Sequence, residues 1–222
     1  MAEFFENDMC FRTFFNAEKN KSEARLHCYL GNQSVVKIPE FVNMYRVTVI
    51  GQWAFEKSSI EELYYPDSLC CIEDGAFINC HNLKKVASYP TVCEPKSLDV
   101  MHVAFNRCEN LTTFESYVPV NIWYQAFQGC SSLSQIDAKI LGFGDKAFFD
   151  SKITSLHFAD NVLWGKGAYL GMPLLTDLYF DGKISDDTCI SYIKYIRRKR
   201  LHVNANKFNY MELAYDGTEI LT

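Results

Sequence analysis

The sequence of 222 residues predicts a repeat solenoid, in which short similar segments each form one coil and stack in a single continuous domain. Three observations predict this fold class. An Ala-Phe dipeptide recurs at intervals of 21 to 28 residues, an apolar residue stands five positions before its aromatic ring, and two apolar residues separated by two positions follow it. A segment this short cannot bury its own apolar side, so it must stack on its neighbours. The expected coils are mostly β, with a parallel sheet on the concave face and an irregular convex side.

The dipeptide and its flanking residues define six units that agree column by column. The dipeptides are Ala54-Phe55, Ala76-Phe77, Ala104-Phe105, Ala126-Phe127, Ala147-Phe148 and the variant Ala168-Tyr169. The apolar column before them contains Ile50, Ile72, Val100, Ile122, Phe143 and Trp164. A column of small or sulfur-containing residues, three positions after each ring, contains Ser58, Cys80, Cys108, Cys130, Ser151 and Met172. Agreement in several columns excludes a chance recurrence of one dipeptide.

The apolar pairs that follow each dipeptide predict one short strand per coil. These pairs are Ile60/Leu63, Leu83/Val86, Leu111/Phe114, Leu133/Ile136, Ile153/Leu156 and Leu175/Leu178. Strands of successive coils should pair in parallel, about 4.8 Å apart. The alanine of each dipeptide lets the backbone pass closely, and the phenylalanine fills the space beneath the next coil, so the rings should form one stacked column. The small column should lie at a bend, where its members are buried and weakly cap a backbone amide.

Three segments carry a resemblance to a known family: IEDGAFINCHNLKKV (72–86), VMHVAFNRCENLTTF (100–114) and IWYQAFQGCSSLSQI (122–136). They resemble the BspA-type leucine-rich repeat, and the resemblance covers about residues 47–182. It implies a right-handed leucine-rich-repeat solenoid. Many members of the family are bacterial or protist surface proteins that bind host or partner proteins, which implies a binding function here.

The ends of the chain are expected to cap the solenoid, because an open end would expose apolar side chains and unpaired amides. Residues 1–46 should form an N-terminal cap with a hairpin and a partial first repeat, and residues 47–182 the six repeats. Residues 183–222 should form a C-terminal cap with a short helix at 188–200 and a following strand. The basic residues Arg197–Arg200 are interpreted as a solvated helix end rather than a phosphate-binding patch.

The spacing of 28 residues between the second and third dipeptides indicates an insertion near residues 89–99. Insertions in solenoids map to surface loops, often on a binding face. The simpler interpretation is a tolerated loop, since added loop length costs little free energy. Both interpretations stay open, and the first is not favoured.

Composition and motifs disfavour several function classes. The 22 basic and 27 acidic residues give a net charge of −5, which does not suit a nucleic-acid binder. No P-loop, dinucleotide-binding glycine run, GxSxG or HExxH motif occurs, and the nine cysteines show no zinc-ligand spacing. The sequence therefore predicts no enzyme, no cofactor and no metal. No apolar run approaches the roughly 18 residues of a membrane span.

Two interpretations of the cellular location stay open. The N-terminal 15 residues carry Glu3, Glu6, Asp8 and Arg12 among their aromatics, so they lack the apolar core of a secretory signal. This absence and the odd number of cysteines indicate the cytoplasm, unless a leader is missing from the sequence. The family resemblance indicates the cell surface or secretion instead.

The predicted contact face follows from the alternation of side chains along a strand, because residues that flank the buried second apolar position must face outward. Solenoids use such concave surfaces for protein recognition. The set predicted to bind a partner is Glu62, Tyr64, Lys85, Thr113, Glu115, Gln135, Asp137, His157, Asp177 and Tyr179. The predicted function is a non-catalytic protein–protein interaction module that binds a protein or peptide. The alternative is a surface adhesin that binds a host matrix protein or carbohydrate.

Overall fold

The computed structural model describes residues 2–91, 97–165, 167–168, 171–181, 200–203 and 219–221. Within these ranges the chain forms strands, turns and bends, without a helix. The insertion predicted at 89–99 lies partly outside the described residues, and so does most of the predicted C-terminal cap. Of the helix predicted at 188–200, only Arg200 is described, and it begins a strand.

The described residues contain eighteen strands. They are β1 (Glu3–Glu6), β2 (Met9–Asn16), β3 (Lys21–Tyr29), β4 (Val35–Lys37), β5 (Phe41–Val42), β6 (Tyr45–Ile50), β7 (Glu62–Pro66), β8 (Cys71–Ile72), β9 (Lys85–Tyr89), β10 (Leu98–Val100), β11 (Thr113–Glu115), β12 (Val120–Ile122), β13 (Gln135–Asp137), β14 (Ile140–Phe143), β15 (Ser155–Trp164), β16 (Asp177–Phe180), β17 (Arg200–Val203) and β18 (Glu219–Leu221). Most of them are only two to five residues long, as expected for coils of about 22 residues.

The repeats stack into a solenoid with two parallel sheets, which confirms the predicted fold class. The strands predicted for the first four units form the shorter sheet together with β4, in the order β13-β11-β9-β7-β4, whereas those of the last two units, β15 and β16, belong to the larger sheet. The second sheet was not predicted: it contains β6, β8, β10, β12 and β14, which end at the apolar column before each dipeptide. In that sheet Ile50 pairs with Ile72, Ile72 with Val100, and Val100 with Ile122. The apolar column of the sequence therefore marks residues that pair in register in this sheet. The sheet could not be predicted, because strands of two or three residues show too little alternation of polar and apolar side chains.

The phenylalanines of the dipeptides form the predicted column. Successive ring centroids from Phe55 through Phe77, Phe105 and Phe127 to Phe148 lie 4.8, 4.8, 5.0 and 5.5 Å apart, with interplanar angles of 15° or less. Tyr29 extends the column by one ring, 5.0 Å from Phe55. All these phenylalanines are at most 1% exposed. The column is continuous from the first to the fifth dipeptide, so each of these coils covers the apolar ring of its neighbour; Tyr169, the ring of the sixth dipeptide, lies outside the described residues.

A third ladder of hydrogen bonds runs beside the column. The amides of Phe77 and Phe105 donate to the alanine carbonyls of the next coil, Ala104 and Ala126, at 2.7 Å each. The residue before each of the first five dipeptides has a left-handed backbone, as at Gly75 (φ 60°) and Val103 (φ 50°). This conformation turns the chain sharply while its amide stays aligned with the next coil.

The small column is buried as predicted except at Ser58, which is partly exposed, but its thiols do not cap an amide. The Sγ atoms of Cys80, Cys108 and Cys130 donate to the carbonyl oxygens of the preceding coil at 2.9 to 3.1 Å. The acceptor of Cys108, for example, is Phe77 O. Each of these oxygens also accepts an amide of its own turn, as Phe77 O does from Cys80 N at 3.2 Å, so the thiol of the next coil supplies a second donor to the same oxygen.

The N-terminal hairpin predicted within residues 1–46 is present, and a further strand precedes it. Strands β1, β2 and β3 pair antiparallel, and β3 pairs in parallel with β6 of the first coil. Asn7 and Asp8 form the two-residue loop between β1 and β2, both with positive φ, as expected for a type I′ turn. The meander thus covers one end of the larger sheet.

Candidate functional site

The outward positions of the shorter sheet bring seven of the ten predicted contact residues together. In register across β7, β9, β11 and β13, one row contains Glu62, Lys85, Thr113 and Gln135, and the other row contains Tyr64, Ala87, Glu115 and Asp137. Of the residues between the two rows, Leu63, Val86 and Phe114 are completely buried. The seven predicted side chains are therefore partly or fully exposed on one face of the sheet. We call these two rows the contact strip.

Side chains of the contact strip hold one another in place. Tyr64 Oη donates to Glu62 Oε2 at 2.7 Å, and this hydrogen bond raises the pKa of Tyr64. Lys85 Nζ lies 2.8 Å from Glu115 Oε1 on β11, and this contact raises the pKa of Lys85. The carboxylate of Asp137, fully exposed beside Glu115 in the ladder, forms no ion pair with the described residues. Negative charge therefore collects at the β13 end of the strip.

The other three predicted residues, His157, Asp177 and Tyr179, lie on β15 and β16, beyond the end of the shorter sheet. The Tyr179 ring is 39% exposed and stacks on His202, with 4.0 Å between ring centroids. His157 Nε2 lies 2.8 Å from Asp181 Oδ1. These side chains form an aromatic and histidine surface next to the contact strip.

Asp177 is mostly buried, which the strand pattern alone did not predict. Its carboxylate is bonded by Arg200 Nη2 at 2.6 Å and His202 Nε2 at 2.9 Å. Desolvation alone would raise the pKa of Asp177, but the hydrogen bonds from His202, Thr176 and Arg200 outweigh it and lower the pKa. Asp177 thus joins β16 to β17, and its role as a partner contact stays a prediction.

The shorter sheet ends at β13, although the next coil supplies an equivalent strand. Residues Ser155–Phe158 of β15 pair with β16 instead, and β15 also pairs with β14 of the larger sheet. The two coils still touch at both ends of the gap, through Lys152 N donating to Leu133 O at 2.8 Å and through the pairing of Ile140 with Phe158. Between these contacts the strands separate and open a cleft.

The cleft has a volume of about 770 Å³ and an apolar floor. The floor contains Ile136, Leu156, Ala138 and Val118, and the rim carries Glu115, Asp137, Lys139, His157, Tyr117 and Tyr179. Ile136 is partly exposed, whereas its equivalents in the other coils are buried to within 1%. The cleft therefore exists because β13 lacks a neighbour on one side.

Among the residues around this cleft, Glu115, Asp137, His157 and Tyr179 belong to the predicted contact face, whereas Tyr117 and Lys139 do not, and the cleft itself was not predicted. A signal was available in the distance between the two strands of each coil. Ile136 precedes Phe143 by seven residues, while Phe114 precedes Ile122 by eight and Leu63 precedes Ile72 by nine. The fourth coil thus has the shortest of these connections, and it is this coil that loses its parallel neighbour.

Several cysteine thiols in the described part of the chain are poor nucleophiles. All seven described cysteines are free thiols. Burial raises the pKa of Cys10 to about 11 and that of Cys71 to about 12, and it also raises the pKa of Cys108. A thiol with a raised pKa stays protonated and is a poor nucleophile. No group of three or more His, Cys, Asp or Glu side chains among the described residues could hold a metal ion.

Comparison with known families gave a match over most of the chain. The sequence model of the "BspA type Leucine rich repeat region" matches in six copies, over residues 27–99 and 48–175. A comparison with curated protein sequences gave no match. In the described residues, no helix has the length and apolar character needed to cross a membrane.

The solved structures that this chain is similar to include leucine-rich repeat proteins. A leucine rich cell surface protein from Faecalibacterium prausnitzii is 21% identical, with a TM-score of 0.53, over 82% of this chain and 55% of that one. A leucine-rich repeat protein from Bacteroides capillosus is 21% identical, with a TM-score of 0.41, over 82% of this chain and 100% of that one. The chain thus spans about half the length of the first protein.

Proposed function

Because the chain belongs to the family of proteins with a BspA-type leucine-rich repeat region, we propose that it is a non-catalytic protein-interaction module that presents its concave sheet to a protein or peptide. In this proposal residues 47–182 form the binding repeats, and residues 1–46 and 183–222 cap their ends. The observation that carries the proposal is the contact strip, whose charged and aromatic side chains lie in register on one face of the sheet.

The strip has the properties of a recognition surface rather than of a catalytic one. Its side chains sit on parallel strands whose inner faces are fully packed, so their positions are set by the core. Ordered side chains lose less conformational entropy on binding than free ones do. An apolar depression with a polar rim that includes Tyr117 and Tyr179 also matches the arrangement of protein interfaces, in which a polar rim surrounds an apolar centre.

The test is capture of partners from cell extract by the wild-type chain and by a charge-reversed variant. We use Glu62→Lys, Glu115→Lys and Asp137→Lys together, and leave Asp177 intact because its carboxylate bonds Arg200 and His202. The control variant reverses three exposed carboxylates outside the two sheets, Glu18→Lys, Glu56→Lys and Glu109→Lys, with the same change in net charge.

We expect the strip variant to lose captured proteins that the control variant retains. Both variants should melt within a few degrees of the wild type, since the reversed side chains are partly or fully exposed. Equal capture by the two variants would remove the concave sheet as the binding surface.

A second candidate function is a surface adhesin that binds a host matrix protein or carbohydrate. Two exposed rings at the cleft favour it, Tyr117 (69% exposed) and Tyr179, because sugar rings pack on exposed aromatic faces. The similar structure from Faecalibacterium prausnitzii is that of a cell surface protein, which is consistent with such a location. A glycan array in which the wild-type chain shows binding and Tyr117→Ala does not would support this function, and an array without hits would remove its carbohydrate branch.

A further inference from the structure

We propose that the cleft between β13 and β15 receives a turn of a protein partner that carries an arginine at its tip, with Asp137 and Glu115 as the groups that bind the guanidinium. This inference rests on the proposed protein-binding function and names the part of the partner that the cleft recognises. The volume of the cleft, about 770 Å³, falls in the range of roughly 300–1,000 Å³ that is typical of specific binding pockets.

The shape of the opening selects a turn over an extended strand. At one end the coils meet through the hydrogen bond from Lys152 N to Leu133 O, and at the other end Ile140 pairs with Phe158. An extended peptide would have to run through these closed ends to pair along β13. A tight turn or a single long side chain can enter from the open face without displacing either contact.

The backbone of β13 supplies unused hydrogen-bonding groups to such a turn. Gln135 N donates to Thr112 O, and Asp137 O accepts from Ser116 N, so both residues direct these groups toward β11. Because the bonding direction alternates along a strand, the N–H and C=O of Ile136 point away from β11 and toward the cleft. Backbone groups at the edge of a sheet readily pair with another chain.

The charges at the rim favour a cation. Glu115 and Asp137 are direct neighbours in the parallel ladder, where like charges repel. The nearby cations are already engaged, Lys85 by Glu115 and Lys139 by Asp181 at 2.6 Å. The carboxylate of Asp137 is left without a counter-charge among the described residues. A cation brought by a partner would relieve this repulsion.

The floor distinguishes arginine from a small ion. Ile136, Val118 and Leu156 form an apolar surface below the carboxylates. An arginine side chain buries its methylene groups along such a surface while its planar guanidinium reaches a carboxylate at the rim. A lone hydrated ion would gain nothing from the floor.

The rim is also held in place before a partner arrives. In the loop beside the cleft, Tyr117 N donates to Ser88 Oγ at 2.8 Å, and Ser116 Oγ donates to Val118 O at 2.8 Å. These bonds tie the loop to β9 and to itself. A pre-ordered rim reduces the entropy that binding must offset.

The test measures binding of three fluorescent pools of short disulfide-cyclised peptides to the full chain by anisotropy. The pools share randomised flanking positions and differ only at the tip, which is arginine, citrulline (its neutral isostere) or glutamate. We expect the arginine pool to bind at least tenfold more tightly than the other two. Asp137→Asn should bring the arginine pool to the citrulline level, and Glu109→Gln, which changes an exposed carboxylate outside both sheets, should leave it unchanged.

A charge-reversed variant separates recognition from a structural effect. Asp137→Lys should invert the preference, so that the glutamate pool binds more tightly than the arginine pool, and its melting temperature should stay near that of the wild type. Equal affinity for the arginine and citrulline pools, or no effect of Asp137→Asn, would overturn the inference. So would displacement of the arginine pool by neutral mannose- or galactose-terminated oligosaccharides at lower concentrations than by free arginine.

The result is distinguishable from a failure of the proposed function. If the strip variant loses captured proteins while the pools bind alike, the concave sheet binds a protein but the cleft does not select arginine. If the pools discriminate and the strip variant captures all proteins as before, the cleft recognises arginine while the concave sheet is not the main partner surface.

Discussion

The rings of Phe77 and Phe105 lie 4.8 Å apart and within 3° of parallel, although 28 residues separate them along the chain. Phe55 and Phe77, which are 22 residues apart, have the same centroid separation. The hydrogen bond from Phe77 N to Ala104 O is 2.7 Å, as short as that between the next two coils. The extra residues of the second coil are therefore accommodated without any change in the stacking of the column.

The stacked phenylalanine column predicts that its central ring, Phe105, contributes strongly to the stability of the fold. Phe105 packs on Phe77 and Phe127 and meets Phe114 edge-to-face, and it is completely buried. Phe105→Ala should lower the free energy of unfolding by about 3–5 kcal/mol, because it leaves a cavity between two coils. Urea denaturation followed by circular dichroism measures the change.

Phe149 provides the control for the column because it follows Phe148 directly but is 39% exposed. Phe149→Ala should cost much less than Phe105→Ala. Comparable losses for the two substitutions would mean that the column is not the source of the stability.

The left-handed turns predict a substitution that stabilises the protein. Val103 has a φ of 50°, which is unfavourable for a β-branched residue, whereas the equivalent position in the previous coil is Gly75 at 60°. Val103→Gly should raise the free energy of unfolding by about 0.5–1 kcal/mol, because relief of the strain exceeds the entropy that glycine loses on folding. Differential scanning calorimetry should show a higher melting temperature.

The neighbouring substitution Ala104→Gly should act in the opposite direction. Ala104 is completely buried and not left-handed, so glycine there adds flexibility to the unfolded chain and removes a packed methyl group. A lower melting temperature for Val103→Gly would show that contacts of the valine side chain outweigh the backbone strain.

The cysteine column predicts slow chemical modification. Cys80 and Cys108 are buried, and their pKa values are raised, chiefly by the contact with Cys108 for Cys80 and by burial for Cys108. In native protein at pH 8 a thiol-specific disulfide reagent should modify Cys80 and Cys108 no faster than the coils open. The partly exposed Cys28 should react before either of them. Peptide mapping after timed quenching identifies the order, and early modification of Cys108 would contradict it.

The sequence was sufficient to predict the coils, the phenylalanine column and the outward rows of the concave sheet, because each depends on a repeated side chain. The left-handed positions could not be predicted in this way. Trp53, Gly75, Val103, Gln125 and Lys146 occupy them, and these residues share no conformational preference. The hydrogen bonds between coils impose the conformation, whichever side chain is present.

Only part of the candidate site could be predicted from the sequence, because the rest depends on how strands pair rather than on a repeated side chain. Glu115 and Asp137 follow from strand alternation, and the structure places them side by side. The cleft follows from the loss of one strand pairing, which depends on how β15 joins both sheets. The burial of Asp177 depends on Arg200 and His202, which lie beyond the last repeat unit, where periodicity carries no information.

The buried carboxylate of Glu23 predicts a pH-dependent contribution to stability at the N-terminal end. Glu23 is completely buried and accepts hydrogen bonds from Asn16 Nδ2 at 3.0 Å and Thr48 Oγ1 at 2.9 Å, while Lys19 Nζ lies 3.2 Å away. Desolvation by itself would raise the pKa of Glu23, but these hydrogen bonds outweigh it and hold the pKa below its usual value of 4.5. Glu23→Gln should therefore lower the free energy of unfolding at pH 7 by about 1–3 kcal/mol, since it removes charge-assisted hydrogen bonds from a buried site.

The sign of the pH dependence follows from the lowered pKa of Glu23. A carboxylate whose pKa is lower in the folded than in the unfolded chain stabilises the fold at pH values above 4.5, and this contribution is lost as the pH falls through the folded-state value. The difference in unfolding free energy between the wild type and Glu23→Gln should thus be constant from pH 7 to about pH 5 and shrink at lower pH. Glu6→Gln, at an exposed position on β1, should show a small difference at every pH. Urea titrations at pH 7, 5, 4 and 3 measure all three proteins, and a difference that grows on acidification would mean that Glu23 is protonated in the fold.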